Sequence, residues 1–91
     1  QNKWEEESIS EEYFMESGVF EYEKMRQSET YGIKKYSDAI YRGQLLNGKR
    51  GGNGVMFYKK NRVYEGGWFG DVRHGIGYER YSNNNKYEGE F

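Results

Sequence analysis

The sequence has no cysteine and a single histidine, His74. That excludes disulfides, thiolate metal centres, a cysteine nucleophile and any multi-histidine metal site. No apolar run approaches the ~20 residues that a membrane-spanning helix needs, and no signal peptide is visible. Hydrophobic residues make up only 34% of the chain and the mean hydropathy is −1.21, values that by themselves lean toward disorder. The chain opens on Gln1 without a methionine and stops at Phe91, which reads as a piece of something longer. A cytoplasmic setting is the default expectation.

Ring content argues against disorder. Ten Tyr, five Phe and two Trp in 91 residues are far more large apolar surface than a disordered tail carries. The expected product is one small domain with an aromatic core in place of an aliphatic one. Its charge is lopsided. Residues 1–30 hold nine acids and three bases, net −6, and residues 31–91 hold six acids and eleven bases, net +5. The blocks are either solvated surface or the means by which an acidic front segment docks on a basic body.

A repeat organises that body. Laid over residues 64–86, residues 41–63 agree at Tyr41/Tyr64, Gly43/Gly66, Arg50/Arg73, Gly52/Gly75, Gly54/Gly77 and Tyr58/Tyr81, a period of 23. A third unit opens on schedule with "YEGEF" at 87–91, and 31–40 looks like the second half of an eroded unit. Alternation of Tyr64, Gly66 and Trp68, and of Gly75, Gly77 and Tyr81, is the period of a strand. Asn47-Gly48 and Gly70-Asp71 tolerate the positive φ of hairpin turns. Each unit is therefore expected to be two strands of about six residues joined by turns of about five. Glycine weakens a strand unless something needs the space above it. The candidate is a ring from a neighbouring strand lying flat over the glycine. The expected fold is all-β: an antiparallel hairpin meander forming one curved sheet.

The front segment, 1–30, reads differently. Ser8 and Glu11 form a capping-box pattern and Gly18 suits a helix stop, so a short helix is expected at about 9–17. Alternating rings and charges over 19–25 predict a strand paired with 30–36. This segment either caps the open end of the repeat or lays Trp4, Tyr13 and Phe14 into the aromatic groove.

The pattern Tyr-x-Gly-x-aromatic, short turn, Arg-His-Gly-x-Gly resembles the MORN (membrane occupation and recognition nexus) repeat. It is carried by "YEGGWFGDVRHGIG" (64–77), "YRGQLLNGKRGGNG" (41–54) and "YEGEF" (87–91). Leu45 departs from it, standing where the family has a strand aromatic, and Gly51 stands where the second unit has His74. The resemblance implies consecutive hairpins rolled into a groove, binding and scaffolding without catalysis, and no cofactor. It also implies association with the cytoskeleton or a membrane, and a helical or extended partner segment in the groove.

Candidate sites follow. The groove residues are Tyr41, Leu45, Tyr58, Tyr64, Trp68, Tyr81, Tyr87 and Phe91, which serve as partner anchors, as the core of a thin sheet, or as both. Lys49, Arg50, Arg73 and His74 are expected to stack along one edge, with Lys59, Lys60 and Arg62 opposite. They would bind acidic phospholipid or simply solubilise the edge. The glycines of 48–54 lack phosphate-loop spacing, and His74 has no nucleophile motif beside it, so no catalytic residue is assigned. Nucleic acid is not expected, because the rings are needed by the fold. Self-association through an open sheet edge is a further expectation. The asparagines of 82–86 read as padding in a turn.

Overall fold

Two short turns set the frame. Asn47 and Gly48 have φ of 54° and 79°, and Gly70 and Asp71 have φ of 57° and 74°. Positive φ at both central residues is the type I′ hairpin turn, whose twist matches that of the strands it joins. The structure, a computed structural model, describes residues 13–91. It contains helix α1 (Tyr22–Arg26) and strands β1 (Tyr31–Lys35), β2 (Ala39–Leu46), β3 (Lys49–Tyr58), β4 (Val63–Phe69), β5 (Val72–Arg80) and β6 (Lys86–Glu90). Every strand pairs antiparallel with its neighbour in sequence, giving one open six-stranded meander in the order β1 to β6. Strands β2 to β5 are longer than expected because the turns inside the units take only two residues.

The 23-residue period survives as geometry. Gly43 faces Gly54 and Gly66 faces Gly77, and each pairing is followed by the same register shift before Leu45↔Arg50 and Trp68↔Arg73. Gly52 and Gly75 sit within these shifts with φ of 86° and 78°, a region L side chains avoid. Gly52 and Gly75 thus supply backbone conformation, whereas Gly54 and Gly77 supply room for a ring. Links between units are tighter at the eroded end. Tyr36 N–H donates to Ala39 O, whereas Tyr58 N–H reaches Arg62 O and Tyr81 N–H reaches Asn85 O. This accounts for the residue missing between Tyr36 and Tyr41. The asparagine run is functional in that link, because Asn84 takes φ 71° and the Asn83 side chain accepts from Asn85 N–H.

The pleat sorts side chains onto two faces. One, the ring face, buries Ala39, Tyr41, Met56, Tyr64 and Trp68. The other buries Ile40, Val55, Phe57 and Val63 under Tyr22 and Met25 of α1, with Tyr13, Met15, Phe20 and Tyr31 packed around them. The segment 13–26 is therefore a cover over the sheet's second face, and neither an end cap nor an occupant of the ring face.

The expected short helix exists but lies at Tyr22–Arg26. Residues 13–17 are not helical, and 1–12, with Trp4 and the capping box, lie outside the described residues. The strand expected over 19–25 is replaced by α1. Residues alternating with period two over so short a stretch also satisfy a spacing of three. Tyr22 and Met25 share the buried helix face, while Glu21–Lys24 and Glu23–Arg26 pair at i,i+3.

Candidate functional site

Each unit opens with a tyrosine that folds back over its own strand. Tyr41 Oη donates to Gln44 O at 2.8 Å, Tyr64 Oη to Gly67 O at 3.0 Å, and Tyr87 Oη to Glu90 O at 3.0 Å. These hydrogen bonds hold the ring flat across the glycine pair. A Cβ at Gly54 would collide with the Tyr41 ring, and one at Gly77 with the Tyr64 ring. The rings are thus the reason for the glycines, as the alternation predicted.

In the units that open at Tyr64 and Tyr87 a second ring wedges between successive tyrosines. Trp68 meets Tyr41 and Tyr64 edge-on at centroid distances of 5.3 and 5.2 Å, and its Nε1–H donates to Gly54 O at 3.3 Å. Phe91, one period later, meets Tyr64 and Tyr87 in the same way at 4.9 and 5.1 Å. Edge-to-face packing brings the positive ring edge against the negative face of its neighbour. Leu45, the counterpart one period earlier, is half-buried and lies over Gly32.

Arginines roof this layer. The Arg50 guanidinium sits 4.8 Å from the Trp68 centroid and 5.2 Å from that of Tyr36. Arg73 lies 4.5 Å from Tyr64, 5.6 Å from Tyr58 and 5.7 Å from Phe91, and Arg62 lies 4.5 Å from Tyr58. Stacking on ring faces suits the weakly hydrated, planar guanidinium. Each arginine also has a carboxylate. Arg50 Nε donates to Asp71 Oδ1 at 2.8 Å, and Arg50 N–H reaches the same oxygen at 3.0 Å. Arg73 and Arg62 share Glu79, whose side chain is only 4% exposed, at 2.7 and 2.9 Å. The hydrogen bond from Arg50 holds the Asp71 carboxyl below the usual range. Burial pushes the Tyr64 hydroxyl up to about 12, and that of Tyr41 further still.

The expected groove residues therefore divide. Tyr41, Tyr64 and Trp68 are core, with exposures of 0%, 0% and 5%. Leu45 and Tyr58 are half-buried, and Tyr81, Tyr87 and Phe91 are exposed, with Tyr81 standing outside the buried cluster. The basic edge is corrected. Arg50 and Arg73 are neutralised inside the ring layer because bare guanidinium charge there would go uncompensated. Lys49 and His74 stay exposed, with His74 against Phe69 at 5.7 Å. Arg62 joins the roof, while Lys59 and Lys60 are exposed in the β3–β4 link.

Sequence reasoning missed two carboxylates. Glu79 had no signal beyond its place two residues past Gly77. Glu65, fully buried on the second face, accepts from Tyr13 Oη, Ser17 Oγ and the N–H groups of Glu16 and Ser17. Glu16 in turn binds Arg80 and accepts from Tyr78 Oη. The acidic front does dock on the body through these bonds, though one of the anchors is itself an acid. Its hydrogen bond from Tyr78, ahead of the opposing effect of burial and the help of Arg80, holds the Glu16 carboxyl low.

Among the described residues no group of three or more His, Cys, Asp or Glu side chains is placed to hold a metal ion, and no helix is long and apolar enough to cross a membrane. The geometry defines a class: an open, single-sheet meander of hairpin units with a self-packed aromatic–arginine layer. No protein-family model matches the chain, and no curated protein matches it significantly.

Proposed function

We propose that the chain is a MORN-type interaction module, a non-enzymatic scaffold surface that binds a helical or extended partner segment along its ring face. One observation carries this reading. The arginine-roofed layer runs across the sheet, from half-buried Leu45 on β2 past half-buried Tyr58 on β3 to exposed rings at β6, Tyr87 at 44% and Phe91 at 37%. Tyr, Trp and Arg set on a rigid platform are the residues that dominate partner binding elsewhere. The non-enzymatic reading is supported by the state of the carboxylates on this face, since Asp71 and Glu79 are already engaged by arginines.

Peptides selected from a random library for binding the chain test this. They should perturb the NMR amide signals of β2, β4 and β6, and Tyr58→Ala should weaken them about tenfold, about 1.4 kcal/mol. Binders that perturb only residues 13–26 would sink the reading.

A second reading, binding of acidic phospholipid headgroups at a cytoplasmic membrane surface, is favoured by the hairpin tips. There Leu46, Phe69 and Val72 are 51%, 66% and 59% exposed, beside exposed Lys49 and His74. Flotation with anionic but not neutral vesicles, lost in Phe69→Ser, is the expected result; equal flotation with both removes the headgroup role.

A further inference from the structure

The register across the sheet sets six side chains in one line. Tyr36 N–H donates to Ala39 O, Tyr58 N–H to Arg62 O and Tyr81 N–H to Asn85 O, each at 2.8 Å. Ala39 pairs with Tyr58 across β2 and β3, and one step beyond the pair Val63↔Arg80, Arg62 falls opposite Tyr81. Residues directly opposite in an antiparallel sheet share a face, and Tyr36, Ala39 and Tyr58 belong to the ring face. The line therefore reads Tyr36, Ala39, Tyr58, Arg62, Tyr81, Asn85, with a tyrosine on every second strand. Repeat spacing hides it, because the interval from Tyr36 to Tyr58 is one residue shorter than the period, a difference the tight first link absorbs. Tyr81 is 37% exposed, Tyr36 and Tyr58 are half-buried, and the segment 13–26 packs on the opposite face.

Neighbouring strands lie about 4.8 Å apart, so the tyrosines form ridges that recur about every 9.6 Å. A polyproline II helix, at about 3.1 Å per residue and three residues per turn, repeats about every 9.3 Å. Other backbones fit the ridges worse. An α-helix, with a pitch of about 5.4 Å, sets side chains over ridge and slot alike, and an extended strand repeats about every 6.8 Å along one face. The two slots differ in floor. Between Tyr36 and Tyr58 it is Ala39, the smallest side chain in the line and 4% exposed. Between Tyr58 and Tyr81 it is the Arg62 guanidinium, stacked 4.5 Å from the Tyr58 centroid and tied to Glu79 at 2.9 Å. The Tyr58 hydroxyl accepts from Arg73 Nη2 at 2.8 Å, which leaves its proton to donate. Proline has no N–H, so a proline-rich segment offers carbonyls to that proton.

We propose that the partner segment of the ring face is proline-rich, lies across the strands along this line in polyproline II conformation, and seats prolines three residues apart in the two slots. The proposal rests on the ring-face reading and narrows it to one class of partner. Charge sets the flank. The arginines of the face are already held by Asp71 and Glu79, whereas Lys60 is exposed in the β3–β4 link beside Tyr58, so an acidic residue next to the prolines meets Lys60. Little ordering is needed on either side. The segment holds its conformation when free, and the tyrosines stand on hydrogen-bonded strands.

The test titrates the isotope-labelled chain with a synthetic peptide of Pro-x-x-Pro units ending in glutamates, and with a control whose prolines stand four residues apart. The first should shift the amide signals of 36–39, 58–62 and 81–85 and bind about tenfold tighter than the control. Tyr81→Ser, at an exposed ring outside the buried cluster, should keep the fold and weaken that peptide about tenfold. Lys60→Glu should weaken it too, and leave an uncharged version of the peptide unaffected. Equal binding of the two peptides, no binding at millimolar concentration, shifts confined to other residues, or full affinity in Tyr81→Ser or in Lys60→Glu would each overturn the proposal. If library-selected peptides still map to the ring face after such a failure, the proposed function stands without a proline-rich partner; if they also fail, both readings fall.

Discussion

Glycine and tyrosine in this protein act as one unit. Gly54 is empty above its Cα because the Tyr41 ring fills the space, whereas nothing lies within 4 Å of a Cβ at Gly75, whose φ of 78° is what demands glycine. Two glycines at different positions of the repeat should therefore respond differently. Gly54→Ala overpacks a buried layer and should lower unfolding free energy by about 2–3 kcal/mol. Gly75→Ala meets only backbone strain and should cost about 1–2 kcal/mol. Urea unfolding measures both, and a larger loss at Gly75 would contradict the ring account. The same rings make the fold sensitive to alkali. An unfolded tyrosine ionises near 10, while burial pushes Tyr64 up to about 12. A group whose folded value is raised contributes fully below its unfolded value and loses that contribution as pH rises through the folded one. Stability should therefore fall between pH 10 and 12, with tyrosinate absorbance at 295 nm appearing together with loss of the β signal.

At the scale of elements, the segment 13–26 is held by carboxylates as much as by packing. Glu16 has its carboxyl held below the ordinary 4.5 by the hydrogen bond from Tyr78 and by Arg80. A depressed carboxyl stabilises above its unfolded value and ceases to as pH falls through its folded one. Acidification below about pH 4.5 should loosen this segment before the sheet, read as faster hydrogen exchange at 19–26 with the strand signals unchanged. Glu16→Gln should remove that pH dependence; an unaltered profile would assign it elsewhere. The hairpins β2–β3 and β4–β5 were legible because Asn47-Gly48 and Gly70-Asp71 are local turn chemistry, decided by neighbours in sequence. The helix α1 was not legible. Its Tyr22 and Met25 find their buried face only against Ile40, Val55 and Phe57, and no local rule ranks that over a strand.

Across the described residues the sheet has an unequal middle and outermost strands that pair on one side. Strands β2, β3 and β4 each pair on both sides and carry residues of both buried clusters, while among the described residues β1 and β6 pair on one. Local opening follows that difference. Amides of β2, β3 and β4 should exchange slowest, through global unfolding, and those of Glu88 and Glu90 fastest. Uniform protection over all six strands would contradict this ranking.

The sequence by itself determined the meander: its period, its hairpin turns and its pairing of rings with glycines. Each of these is a contact between residues close in the chain or one repeat apart, so pattern suffices. Tertiary structure alone decided where charge goes. Arg50 and Arg73 look like a basic edge in the sequence, but the ring layer draws their guanidiniums inward and Asp71 and Glu79 follow to neutralise them. Glu65 looks like a solvent-facing strand residue, yet it is buried because Tyr13, Glu16 and Ser17, some fifty residues away, bring the hydrogen bonds that a buried carboxylate requires. The fate of a charge depends on partners that only the folded chain assembles.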